Sequence, residues 1–226
     1  MSSAPPATAT PRTLAVLGAT GRTGRRVVEY ALADGHAVRA LVRDPAALAP
    51  LAHPRLTVLA GDARDADAVA ALVAGADTVI SALGGGTTAD PGTTRSDAMR
   101  HVARALATQG YADGRVLFVA GGGILDAPPG SAVPGLRHDQ PGFPAVFRQV
   151  SAEHRRAWEA VRDTPLAWTA VCTGDIVPGE RTGVYRHLPD VMPEGGRRIS
   201  IEDLAGFLLA ELGAGRYVRR RVGLAY

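Results

Sequence analysis

The sequence predicts an α/β protein: one doubly wound parallel sheet with helices on both faces. Three observations lead there. Short apolar runs alternate with stretches of helical spacing from residue 13 onward. Several of those runs are apolar throughout, as strands covered on both faces must be. The first run passes into a helical stretch through GATGRTG, and strand-helix-strand repetition of this kind winds a parallel sheet. With 226 residues, 46% of them hydrophobic, the chain can bury one sizeable core, so a single domain is expected over 13–226.

Residues 1–12, rich in Ser, Ala, Thr and Pro, carry too little apolar surface to order themselves and are expected to form a flexible tail. Strands are expected at 13–18 (TLAVLG), 37–43 (AVRALVR), 56–61 (LTVLAG), 77–83 (DTVISAL), 115–121 (RVLFVAG) and 167–172 (AWTAVC). Helices are expected near 22–33, 65–74, 94–108 and 145–162, with a short helical turn near 45–50. Two stretches break the alternation. Residues 121–144 hold too much Pro and Gly for regular structure. Residues 173–198 include ERTGVYRHL, which can form a short two-stranded arm. Both follow late strands and should therefore lie over the carboxyl edge of the sheet, where open α/β sheets take ligands, as candidate substrate walls. The basic run RYVRRR at 216–221 reads as a solvated strand edge.

Composition removes several kinds of chemistry. All 25 basic residues are arginine, so a Walker phosphate loop, a Schiff-base lysine and a Tyr-x-x-x-Lys pair are each impossible. The one cysteine, Cys172, has no second thiol for a disulfide or a zinc site, and its apolar run marks it as core. No metal site is expected. A formal charge of +3 with acids interspersed, and no aromatic and basic interleaving, does not make a nucleic-acid surface. No run approaches the ~18–20 apolar residues of a membrane span, and the start lacks the regions of a signal peptide, so a cytoplasmic protein without a membrane partner is expected.

The glycines of GATGRTG have separate reasons. Gly18 permits a tight turn, Gly21 lets backbone approach a phosphate, and Gly24 allows close packing of the helix. The helix N-terminus then presents free N–H groups to a dinucleotide pyrophosphate. Thr20 and Thr23 can cap that helix or donate to the phosphates. The choice of dinucleotide turns on the end of the second strand, which reads Arg43-Asp44. Arg43, with Arg22 from the loop, suits a 2′-phosphate and hence NADP(H); with Asp44 as the ribose ligand the cofactor is NAD. Asp62, at the end of the third strand, either meets the adenine amino group or caps the next helix.

With GATGRTG, LVRD, GD and ISALG in this order, the chain resembles the atypical short-chain dehydrogenases of the NAD(P)H-binding, NmrA-like family, and most of all the biliverdin reductase B / flavin reductase branch. The likeness covers roughly residues 13–212 and includes SAEHRRAWEAVRDTPLAWTAV, TGVY and RRISIEDLAGFLLAEL. It implies a Rossmann domain in which Gly18, Thr20, Gly21, Thr23, Arg43, Asp62, Ala63, Leu83, Gly84 and Gly85 match cofactor positions. Three departures stand out. Ala120-Gly121-Gly122-Gly123 replaces a hydroxyl-bearing segment after the fifth strand. Thr173-Gly174-Asp175 replaces a Pro-Pro-His-like segment after the sixth, and the Pro-rich insertion is longer than the family pattern implies.

Hydride transfer to a flavin or another conjugated carbon proceeds by positioning, with solvent supplying the proton, so it needs no tyrosine-lysine pair. His154 shares a helical face with Val150, Ala157 and Val161 and reads as a substrate-orienting group, a proton donor or a satisfied core histidine. Asp175, at a strand end, can act as acid, base or amide ligand, or cap a loop. Tyr185 and His187 either close over substrate or are a packing tyrosine and an exposed histidine; Trp158 reads as core and Trp168 opens the sixth strand. The expected function is an NADPH-dependent reductase acting on a small molecule, a flavin or other flat conjugated acceptor. Two alternatives are a non-catalytic NADP(H)-sensing regulator and a tailoring reductase or isomerase of a small-molecule pathway. Nothing in the sequence sets an oligomeric state.

Overall fold

Eight strands lie side by side in a computed structural model that describes residues 10–226. With two more that pair apart from them, the strands of the described residues are β1 (Thr13–Leu17), β2 (Ala37–Val42), β3 (Leu56–Ala60), β4 (Thr78–Ser81), β5 (Arg115–Gly121), β6 (Ala167–Thr173), β7 (Asp175–Val177), β8 (Arg186–Pro189), β9 (Arg198–Ser200) and β10 (Arg220–Ala225). The main sheet runs β3-β2-β1-β4-β5-β6-β10-β8, parallel except for β8, while β7 and β9 pair separately as a small parallel sheet. The order reverses between β1 and β4. Crevices for ligands open at such a reversal, beyond the carboxyl ends of the strands.

Helices α1 (Arg22–Ala33) and α5 (Ile201–Ala214) cover one face; α2 (Ala66–Val73), α3 (Thr94–Thr108) and α4 (Arg148–Arg162) cover the other. The split follows strand alternation. In β1, Leu14 and Val16 join Val27, Val28, Leu204 and Leu208 in one core, while Ala15 and Leu17 join Leu72, Met99, Val102 and Val161 in the other. Burying each such side chain contributes ~1.5–3 kcal/mol, so both faces must be covered to hold the sheet. One domain results.

Three expectations need correction, and one helix was not foreseen. RYVRRR is no sheet edge: its end enters β10, which is bonded on both sides, to β6 and to β8. ERTGVYRHL forms no arm, because Arg186–Pro189 instead adds to β10 as the outermost, antiparallel strand. Periodicity also missed α5, which is apolar nearly all round because it is buried along most of its length. The helix expected from 145 starts at Arg148, after a 3-10 turn over Ala145–Phe147. Of the tail expected over 1–12, residues 1–9 lie outside the described residues. Arg12 is tied down, its N–H donating to His36 Nδ1 at 3.1 Å and its guanidinium to the Leu212 carbonyl at 3.3 Å. Among the described residues no helix is long and apolar enough to cross a membrane.

The two irregular stretches are fastened to the sheet and to each other. The Asp126 N–H donates to the Asp190 carbonyl at 2.8 Å. From β10, the half-buried Arg221 donates to the Ile124 carbonyl at 2.6 Å and to Asp126 Oδ1 at 2.7 Å, with Asp190 at 3.4 Å. Its guanidinium also stacks 4.9 Å from the Trp158 ring. Asp203 does similar work nearby: buried on α5, it accepts from Thr182 Oγ1, the Gly183 N–H and the Tyr226 hydroxyl. Burial raises its pKa and those hydrogen bonds lower it, with a net lowering.

Candidate functional site

Between β1 and α1 the chain turns through a cradle in which side chains have no room. Gly18 has φ of +81°, and a Cβ there would meet the Ala82 carbonyl oxygen at 2.6 Å. A Cβ on Gly24 would meet the Gly18 carbonyl carbon at 2.7 Å, so this glycine lets α1 press on the loop itself. The Gly21 N–H closes the turn on the Gly18 carbonyl at 2.9 Å. Gly21 is also the N-cap of α1, with no side chain capping it; neither Thr20 nor Thr23 does so. No acid stands in the first turn. The N-terminus of α1 thus keeps its free N–H groups and its positive end for a ligand, the arrangement a pyrophosphate requires.

Beyond it, Arg22, Arg25, Arg26 and Glu29 of α1 line a cleft of about 560 Å³ with Pro178, Gly179, Ile201 and Glu202. Arg25 and Arg26 pair with Glu29, and Arg26 with Glu202 at 2.7 Å, whereas Arg22 joins no ion pair among the described residues. A smaller cavity of about 200 Å³, lined by Asp77, Thr78, Tyr111 and Arg115, lies at the opposite, amino-terminal edge of the sheet and away from this crevice.

At the end of β2, Arg43 is exposed and Asp44 is occupied: its carboxylate accepts from the Ala46 N–H at 3.0 Å and caps the 3-10 turn Pro45–Leu51. At the end of β3, Asp62 does not cap α2. Asp65 does, accepting from the Asp67 and Ala68 N–H groups. Asp62 instead binds Arg64 through three hydrogen bonds, which hold its carboxyl near a pKa of about 2. Ala63 is buried beside it. After β4 the chain passes through half-buried Leu83 and exposed Gly84 and Gly85.

The far end of the crevice is built by α3 and α4 against the end of β5. A Cβ on Gly121 would lie 3.1 Å from His154 Cδ2, so His154 sits directly on the strand end. Gly123 likewise lies under Ser151, whose buried hydroxyl has no partner among the described residues. The bare glycine segment therefore does not leave this edge without donors: α4 fills the space that side chains on β5 would have taken. His154 is shifted down to about 3, first by burial and then by the charge of Arg95. At neutral pH it is an uncharged hydrogen-bonding group.

Glu153, fully buried one residue earlier, accepts from the Ser96 N–H at 2.8 Å and Ser96 Oγ at 3.0 Å and pairs with Arg156 at 2.9 Å. It thereby caps α3 from a neighbouring helix. Sequence reasoning missed Arg95, Ser151 and Glu153. A signal existed for the last, since Glu153 stands four residues before Ala157 and eight before Val161, on the buried stripe itself.

Asp175 opens β7, exposed, two residues beyond the Thr173 that pairs with Gly121 in the sheet. No hydrogen bond joins it to His154 among the described residues. Tyr185 packs, and His187 is half-buried rather than exposed: the Tyr185 ring meets Phe207 edge-on, the His187 ring meets it tilted, and His187 Nδ1 lies 2.5 Å from the Tyr217 hydroxyl. Cys172 is buried, with its thiol pKa pushed up by desolvation, and is inert core. Trp158 is core, and Trp168 donates from Nε1 to the Arg162 carbonyl at 3.3 Å.

A family model described as NAD(P)H-binding matches residues 18–214. Among solved structures, a candidate NADH-flavin reductase from Streptococcus pneumoniae TIGR4 superposes with a TM-score of 0.72 at 26% identity, covering 95% of this chain and 99% of that one. An anaerobilin reductase from Escherichia coli O157:H7 gives 0.76 at 25% identity, covering 96% and 97%. Among curated proteins, a 3β-hydroxysteroid dehydrogenase/Δ5→4-isomerase of Mycobacterium tuberculosis is 41% identical over 90 residues. That match covers 37% of this chain and about a quarter, 24%, of the length of the relative.

Proposed function

This chain belongs to the NAD(P)H-binding family of atypical short-chain dehydrogenases, and on that premise we propose that it is an NADPH-dependent reductase passing hydride to a flavin or another flat conjugated acceptor. The observation that carries the reading is the glycine cradle: backbone packed too closely for any Cβ at Gly18 and Gly24, opening onto an uncapped helix N-terminus with arginines around it. Gly18, Thr20, Gly21, Arg22, Thr23 and Gly24 would hold the pyrophosphate, Asp62 and Ala63 the adenine, and Leu83, Gly84 and Gly85 the nicotinamide ribose. NADPH bound there supplies a hydride.

NADP(H) is favoured over NAD by the end of β2. Asp44 already serves as a cap, and Arg43 stands exposed where a 2′-phosphate would accept a charge-assisted pair. His154, neutral and pressed on Gly121, orients the acceptor by hydrogen bonding; Asp175 stands at the rim as a second polar contact. The proton comes from water. A hydroxysteroid-type alcohol oxidation finds no support here, because its base depends on a lysine and this chain has none.

The test is NADPH oxidation followed by absorbance with FMN, FAD, quinones and a linear tetrapyrrole in turn. Turnover with one or more is expected; none with any of them overturns the reading. In the same assay Arg43→Ala should raise KM for NADPH ~10-fold or more and leave NADH nearly as it was.

A further inference from the structure

Arg95, in the first turn of α3, is a half-buried cation of the crevice with an unpartnered donor. Its Nε is buried with no hydrogen-bond partner among the described residues, and Nη1 reaches only the Gly85 carbonyl, at a long 3.5 Å. The acid whose charge bears on it, Glu153, is already held by Ser96 and Arg156. Its position is equally telling. Its Nη1 contact sets it against the Gly84-Gly85 turn after β4, and its charge bears on His154, which sits on the end of β5. A half-buried guanidinium with an unpartnered Nε and no carboxylate of its own is a receptor for an anion.

We propose that Arg95 binds an anionic substituent, carboxylate or phosphate, carried by the electron acceptor, with His154 donating a second hydrogen bond to the same molecule. The acceptor class narrows accordingly from any flat conjugated molecule to one bearing such a group. The ring system of that acceptor is taken from the proposed reductase function; the anion site itself is not.

The test compares acceptors that differ in the anion alone: FMN against riboflavin for phosphate, and a linear tetrapyrrole with free propionates against its dimethyl ester for carboxylate. Binding to the NADP⁺-loaded protein is followed by fluorescence and calorimetry, and turnover is measured in parallel. Expected is that Arg95→Gln weakens the anionic member of at least one pair ~10-fold or more through Kd and KM, weakens the neutral member at most ~2-fold, and that Arg95→Lys recovers part of the loss. Equal effects on both members of each pair overturn the proposal. So does a loss of NADPH affinity as large as the loss of acceptor affinity, since Arg95 would then serve the cofactor. Selective anion binding without turnover would sink the reductase reading and leave the anion site standing.

Discussion

A methyl group on Gly18 would be forced against the Ala82 carbonyl at a φ of +81°, so Gly18→Ala strains the backbone at the point where a cofactor would enter. We expect it to lower stability by ~1–3 kcal/mol, read from urea unfolding, and to abolish NADPH binding, read by calorimetry. His154 makes a prediction about pH. Its folded pKa, about 3, lies below the ordinary histidine value because burial, and then Arg95, disfavour its charge. The unfolded chain takes up a proton below pH ~6.5 that the folded chain refuses until near 3, so stability falls as pH is lowered through that window. His36 and His187 are shifted in the same direction, mainly by burial, and share the slope. His154→Gln should flatten it by up to ~1.4 kcal/mol per pH unit between pH 6 and 4, seen in urea midpoints. At this scale the glycine cradle was legible, because each glycine answers a local steric demand. Arg95 was not, since nothing in TRSDAMR announces that one of its arginines is drawn inward between a turn and another helix.

Among the elements, α3 and α4 depend on one carboxylate. Glu153→Ala removes the acceptor for the Ser96 N–H and hydroxyl in a place water does not reach. A loss of ~2–4 kcal/mol is expected, shifting Tm by roughly 5–15 °C in a chain of this size. Glu153→Gln should recover part of it. The first six strands and first four helices were readable from periodicity because each is either buried on both faces or striped. The later elements escaped: β7 and β9 are three residues each, and β10 was foreseen only as a solvated edge over its first residues. The buried helix α5 has no polar face to mark its period, and β8 has no apolar pattern of its own, being recruited by β10 alone.

Across the whole molecule, the order of parallel strands and the reversal between β1 and β4 follow from alternation plus right-handed crossovers, so the site of the crevice was foreseeable. The fastening of its walls was not. Three successive arginines look alike in sequence, yet Arg220 pairs with Asp190 from the exposed side at 2.6 Å, while Arg221 turns inward from β10 to hold Ile124 and Asp126 as well as Asp190. Arg221→Ala should raise hydrogen exchange in 122–137 and 186–192 together, leaving β1 to β5 protected as before. Raised exchange in just one of those segments would refute the linkage.

Because both walls are tied to each other through the Asp126–Asp190 backbone bond and to the sheet through Arg221, the mouth of the cleft has few independent ways to open. A bulky ligand that pushes the proline-rich wall outward must drag Asp190 and the outermost strand with it. Breadth of accepted molecules and rigidity of the sheet's far border are thereby set against each other, and a variant that widened one would slacken the other.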